Sequence, residues 1–373
     1  MRTSFTRITL TTLLALPLLG LPPALAQESP ITPGVLDTAK VPGVMAKAVD
    51  GFIRPGYHHF TEEADTMEES MALLCGTPSS EGLLNAQSTF GDLVEAWSRI
   101  EIVRVGPVLD GNRFERILFF PDRKGTGLKQ VQAALAKPDP SVTSVDTLKD
   151  KSVAMQGLGA LEFVLFGTGS ETLGTAEGSY RCQYGTAIAA NLKRLGTELT
   201  QAWDAPDGVA SAWKTPGPNN PIYRDEAEAA KELLGVLVHA AETIRDQRIE
   251  HFYKGDVTKA LPRQAIYWRS GNTFRSITAN IEGLRDLLDT SGMIDLLAED
   301  NRSVVSSTDF VARSLSRVSA DVEPDVAKAL ETPEQVAKLD FLLLNSRDLI
   351  LRLNNDLGGG IGLAAGFSFS DGD

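Results

Sequence analysis

Tyr57, Phe60, Ala64, Met67, Met71 and Leu74 follow one another at alternating spacings of three and four. A strand would scatter these side chains over both faces, whereas a helix gathers them on one stripe that must be covered by another helix. Gly76-Thr77-Pro78 stops this helix, and a second stripe follows through Leu83, Phe90, Val94, Trp97 and Ile100 up to Gly106-Pro107. The pattern then shortens. A brief apolar piece over 113–120 is closed by Pro121, and Leu128, Val131 and Leu135 predict another short helix.

Between residues 151 and 166 the periodicity disappears in favour of apolar residues on every side, from Val153 and Met155 through Leu158, Leu161, Phe163, Val164, Leu165 and Phe166. That pattern predicts a helix buried on all faces, central to its lobe. Amphipathic helices are expected over 182–203, 222–252, 273–288, 304–315 and 333–357, with the proline-rich stretch 206–221 as a connection. The last helix starts with Thr332 as its cap, Pro333 in its first turn and Gln335 completing a capping box. Long helices on short polar turns, with no run of alternating strands, predict an all-α fold of bundle type.

The N-terminus carries Arg2 and Arg7, an apolar run over 8–21, then Pro22, Pro23 and the small-residue site Ala24-Leu25-Ala26. These are the three regions of a secretory signal in order, with cleavage expected after Ala26 and the mature chain placed in the periplasm. No cysteine follows the cleavage site to accept a lipid, and no later stretch offers the roughly 20 apolar residues that a membrane span needs. The 347 remaining residues exceed what one core usually organises. Two helical-bundle-like lobes are therefore expected, 27–205 and 222–373, with a cleft between them. Loss of Arg2 and Arg7 leaves 34 basic against 49 acidic side chains, a formal charge of −15. Such a chain is a poor partner for nucleic acid or an anionic membrane.

Cys75 and Cys182 are the two cysteines of the chain. In an oxidising compartment an even count favours a bridge, and each lies at a polar helix end. The closed loop would stabilise the fold by roughly 4–5 kcal/mol in the chain-entropy model.

The sequence holds no H-E-x-x-H, no G-x-S-x-G and no G-x-x-x-x-G-K-[ST], so three common routes to hydrolysis or nucleotide binding lack their minimal residues. The most informative segment is Gln156-Gly157-Leu158-Gly159-Ala160-Leu161-Glu162-Phe163-Val164-Leu165-Phe166-Gly167. It resembles the imelysin-like proteins, bacterial envelope proteins whose hallmark is G-x-H-x-x-E on a buried helix. Trp97 with Arg104-Val105-Gly106-Pro107, Arg116 with Phe120-Pro121-Asp122, Trp268-Arg269-Ser270 and the ending Gly366-Phe367-Ser368-Phe369-Ser370-Asp371-Gly372-Asp373 look like the same family, in the same order.

The resemblance implies an all-helical, two-lobed fold, a nominal metallopeptidase activity and an association with iron-responsive uptake. This chain departs from the hallmark where Gly159 stands in place of histidine. Residues three apart share a helix face, so His and Glu at that spacing could ligate one metal; here Glu162 is the one remaining candidate ligand. A carboxylate in an apolar helix needs a cation or a proton, and Arg104, Arg116 and Arg269 are its candidate partners. Gly157 and Gly159 are expected to allow close approach of another helix or of a ligand. His59 with Glu62 and His239 with Glu242 repeat the H-x-x-E spacing without the preceding glycine, and His251 offers no motif. Asp371 and Asp373, beside the terminal carboxylate, form a cluster able to hold a hard cation.

The reading that follows is a non-catalytic periplasmic binding or accessory protein with an unidentified ligand in the inter-lobe cleft, linked to iron or another divalent metal. Glu162, Gly157, Gly159, Arg104, Arg116, Trp268, Arg269, Asp371 and Asp373 are its candidate site residues. A metallopeptidase and an envelope scaffold that binds another protein are the alternatives.

Overall fold

The computed structural model describes residues 31 and 33–363. The expected signal segment with its cleavage site and the acidic ending with Asp371 and Asp373 lie outside these residues. Among the described residues every regular element is a helix, and none is long and apolar enough to cross a membrane.

Helix α1, Val41–Ala48, leads through a π-helical turn into α2, Arg54–Gly76. All six residues of the opening stripe are buried on α2. Helix α3, Ser80–Ile100, is capped by Ser79, whose hydroxyl accepts from the Gly82 amide at 3.0 Å. Four shorter helices follow: α4, Arg113–Ile117; α5, Thr126–Ala136; α6, Val145–Leu148; and α7, Leu158–Phe166. The buried segment is thus shorter than the periodicity suggests. Val153–Met155 forms a separate 3-10 turn, and Gly157 takes an extended conformation that caps α7.

Helix α8, Ser179–Asp204, packs along α2. Cys75 and Cys182 form the expected disulfide between the end of α2 and the first turn of α8, with Cα atoms 5.6 Å apart across a separation of 107 residues. The proline-rich connection holds a helix of its own, α9, Val209–Lys214, because Trp213 packs edge-on against Trp203 and Tyr223.

Helix α10, Glu226–Glu242, is capped by Asp225 and continues through a π-helical segment, Thr243–Glu250, into α11, His251–Tyr253. An irregular loop leads to α12, Thr273–Ser291, then α13, Ser303–Ala320, α14, Val326–Ala329, and α15, Pro333–Leu351. Thr332 caps α15 as expected, accepting from the Gln335 amide. The second half of the capping box is replaced: the Gln335 side chain accepts from the Glu323 amide at 2.9 Å and so ties down the preceding loop.

Helices α2, α3, α7 and α8 pack on one another, as do α10, α12, α13 and α15. Helix α3 lies on α12 and joins the two groups, and α1 packs on α10 and α12. The α3–α12 seam is close and polar. A Cβ on Gly283 would collide with the Arg99 carbonyl, so glycine permits this approach. Buried Ser98 and Ser276 share a hydrogen bond of 2.8 Å across the seam, and Asn280 donates to the Ser98 carbonyl at 2.6 Å.

Candidate functional site

Glu162 sits on α7 among Leu161, Phe163, Val164 and Leu165, all buried, and is itself 4% exposed. A carboxylate there requires donors. They come from the loop before α12: Oε1 accepts from the Arg269 amide at 3.1 Å, the Ser270 amide at 3.0 Å and the Ser270 hydroxyl at 3.0 Å. The same hydroxyl is 3.0 Å from the Tyr267 carbonyl, so its one proton serves one acceptor at a time. The Arg269 guanidinium stands 3.9 Å from Oε2. Burial pushes the Glu162 carboxyl above its ordinary range, while the Ser270 and Arg269 donors and the Arg269 charge pull it back down.

The loop achieves this through backbone strain. Tyr267, a buried aromatic, holds φ at +52°, in the left-handed region that side-chain-bearing residues seldom occupy. The amides of Arg269 and Ser270, two and three residues on, then point at Glu162 on α7. Arg269 is then clamped over the Trp268 ring, 4.4 Å from its centroid, with Phe163 at 5.4 Å.

Of the three suspected arginines, Arg269 is therefore the partner of Glu162. Arg116 instead binds three acceptors that brace the loops around α4: the Gly111 carbonyl at 2.9 Å, the Lys149 carbonyl at 2.7 Å and Gln156 Oε1 at 3.1 Å. Arg104 lies over the Phe114 ring and pairs with Glu115 at 3.3 Å, on the wall of a different cavity. The two glycines also separate. A Cβ on Gly157 would strike the carbonyl oxygens of Arg116 and Ile117, so close backbone packing accounts for that glycine. A Cβ on Gly159 would meet nothing within 4 Å; that position is open to solvent and to the cavity beside Glu162.

This cavity, of about 310 Å³, brings together Gly159, Glu162, Trp268 and Arg269 from the sequence-based candidates. Phe120, Leu128 and Val131 give it apolar walls, and Arg123, Arg263 and His251 add polar ones. Its acidic groups are engaged: Asp122 caps α5 by accepting from the Thr126 amide at 2.8 Å and the Leu128 amide at 3.1 Å. The surplus is cationic, in Arg123, Arg263 and Arg269, and Arg263 also lies over Trp268 at 5.8 Å. His251, which no motif marks, stands edge-on to Phe120. Burial, with Lys254, Arg123 and Arg248 nearby, lowers its pKa, so the imidazole is neutral at pH 7.

A bare metal ion does not fit this arrangement. Glu162 is held by three donors and faced by a guanidinium, and among the described residues no three His, Cys, Asp or Glu side chains gather closely enough to hold a cation. The H-x-x-E spacings elsewhere give single contacts: His239 meets Glu242 at 3.0 Å, and His59 meets Glu63, not Glu62, at 4.0 Å.

Residues 53–352 match the model of the Imelysin family, which carries a peptidase label. No curated protein matches the chain. Among solved structures, the chain is similar to an imelysin-like protein from Psychrobacter arcticum, with a TM-score of 0.72 at 16% identity over 90% of this chain and 100% of that one. It is also similar to a protein from Parabacteroides distasonis provisionally named iron-regulated protein A precursor, with a TM-score of 0.73 at 14% identity over 88% and 96% of the two chains. These likenesses establish the fold.

Proposed function

The chain belongs to the imelysin family, and from that premise we propose that it is a non-catalytic, periplasmic ligand-binding or accessory protein in a subgroup whose G-x-H-x-x-E motif has lost its histidine. The observation that carries this reading is the state of Glu162: its carboxylate is fixed by Arg269 and Ser270, and the position that would supply a second metal ligand is Gly159. A metallopeptidase needs about three protein ligands, an activated water and a general base. Those groups do not converge on Glu162 among the described residues.

The cavity suits an anionic organic ligand held by charge-assisted hydrogen bonds from Arg123, Arg263 and Arg269. Its walls come from α7, in the first expected lobe, and from residues 263–269, in the second, which supports an inter-lobe cleft as the binding site. The iron connection suggested by one neighbour's name would then be met by an anionic iron chelate and not by the bare ion. Export rests on the charged, apolar and small-residue regions at the N-terminus and is supported by the disulfide.

The test is elemental analysis of protein purified from periplasm, followed by calorimetric titration with ferrous, ferric and zinc ions and with ferric citrate. The expected result is no stoichiometric bare metal, and ferric citrate binding that is lost in Arg269→Met. Stoichiometric metal lost in Glu162→Ala would overturn the reading. So would chelator-sensitive proteolysis abolished by Glu162→Gln. A protein partner recovered by crosslinking, without ferric citrate binding, would favour the scaffold instead.

A further inference from the structure

A second cavity, of about 540 Å³, lies along one face of α10 and its π-helical extension, within the ~300–1,000 Å³ range of small-molecule sites. Glu228, Glu232, Gly235, His239 and Glu242 line it at spacings of four, three, four and three, which is a single stripe of the helix. The opposite wall is apolar, with Ile102 and Val105 after α3 and Phe114 on α4.

Most charges of the lining are spoken for. Glu228 accepts from the Arg224 amide and from its Nε, both at 2.7 Å. Glu242 holds His239 Nδ1 at 3.0 Å, and Asp246 is bonded to Arg245. Arg104 lies over Phe114 and pairs with Glu115, and Arg248 pairs with Glu101. Glu232 is different: it is half-buried on the stripe and has no hydrogen-bond or ion-pair partner among the described residues. Burial pushes its carboxyl up, and His239 pulls it back down.

Gly235, between Glu232 and His239, adds a second observation. A glycine inside a helix is destabilising relative to alanine, and no close packing requires this one. A Cβ there would meet only His239, 3.7 Å from Nε2. The bare position widens the cavity beside the unpartnered carboxylate. With Nδ1–H given to Glu242, the neutral imidazole keeps Nε2 as an acceptor at the same place.

We propose that this cavity takes a small organic cation with an apolar body, a primary alkyl or arylalkyl amine, with its ammonium at Glu232 and His239 and its chain over Gly235 along Ile102, Val105 and Phe114. This site is separate from the Glu162 cavity and does not depend on the ligand assigned there.

Calorimetric titration of the whole purified chain with hexylamine, 2-phenylethylamine, 1-hexanol and hexanoate tests it. Both amines should bind, hexanol should bind at least about tenfold more weakly for want of the charge, and hexanoate should give no heat. Glu232→Gln keeps the shape of the side chain and should weaken both amines about tenfold or more while leaving hexanol unchanged. Gly235→Leu, whose side chain leans back over the preceding turn toward Glu232, should abolish amine binding with a thermal midpoint at or above that of the wild type. If the leucine variant does not fold, Glu232→Gln and the alcohol comparison still decide. No heat from either amine would overturn the proposal, as would amine binding unchanged in Glu232→Gln or surviving in a folded Gly235→Leu.

Discussion

Glu162 and Glu101 are both buried carboxylates, and each meets an arginine from a distant part of the chain, yet they stand in opposite conditions. Glu162 lies in an apolar helix and is well supplied: three donors crowd Oε1, and the Arg269 guanidinium stands 3.9 Å from Oε2. Glu101 lies at a helix end in a polar seam, and its ion pair with Arg248 leaves oxygen and nitrogen atoms unpartnered. Three fixed donors on one oxygen anchor α7 to the loop before α12. An incomplete network is a standing cost, because each buried polar atom left alone costs about 1–3 kcal/mol. The family motif is therefore the better satisfied of the two, and the unmarked pair keeps the more unpartnered atoms.

Breaking the Glu101 side should have the largest effect. Glu101→Leu leaves the Arg248 guanidinium buried without its counter-charge, and urea denaturation should show a loss of about 3–5 kcal/mol. Glu162→Gln keeps an acceptor oxygen for the Arg269 and Ser270 amides, so its loss should be smaller; an equal or greater loss would invert the comparison. Next comes the backbone beneath Glu162. Gly157→Ala drives a methyl into the Arg116 and Ile117 carbonyls and should cost about 1–3 kcal/mol.

The comparison can be sharpened with pH. Because burial holds the Glu162 carboxyl above its unfolded value of 4.5, the native state binds more protons than the unfolded state between the two pKa values. Stability should thus fall as pH rises from 4.5 through the folded pKa. Wild type should lose ground to Glu162→Gln over that window, read as the difference between their thermal midpoints from pH 4 to 7; a pH-independent difference would refute the shift. The smallest effect belongs to Gly159→Ala, whose new methyl meets no neighbour and should stabilise α7 by up to about 1 kcal/mol. A loss there of the size seen at position 157 would mean that the cavity wall is closed, not open.

The residues at Glu162 were legible because a lone charge in a helix that is apolar on every side has few explanations. Arg269 could be suspected for the same reason, although nothing in Trp268-Arg269-Ser270 indicates that two backbone amides would do most of the work. That depends on the conformation of Tyr267, a left-handed backbone at a residue type which gives no sign of it. The helical stripes marked α2 and α3 well because their periodicity is set by local geometry. The Glu101–Arg248 pair was hidden by ordinary surroundings: Glu101 follows an amphipathic helix, Arg248 sits in the charged run Asp246-Gln247-Arg248, and 147 residues separate them. His251 was missed because its place beside the Glu162 cavity depends on the helix register through the preceding π-helical segment. The helix within the proline-rich connection was missed because Trp213 forms it through tertiary packing, which local composition does not report.

That π-helical segment, Thr243–Glu250, bears on how sequences of this fold can be aligned. A π turn closes its hydrogen bonds over one residue more than an α turn, so everything after it is rotated by most of a third of a turn relative to a continuous α-helix. Arg248 and His251 owe their directions to that extra residue. A relative at about 15% identity that lacks it would align without a gap and look conserved or substituted at the wrong positions. Equivalences beyond residue 242 are safe only when drawn from superposed backbones, and deleting one residue from this segment should redirect both side chains while changing no contact before it.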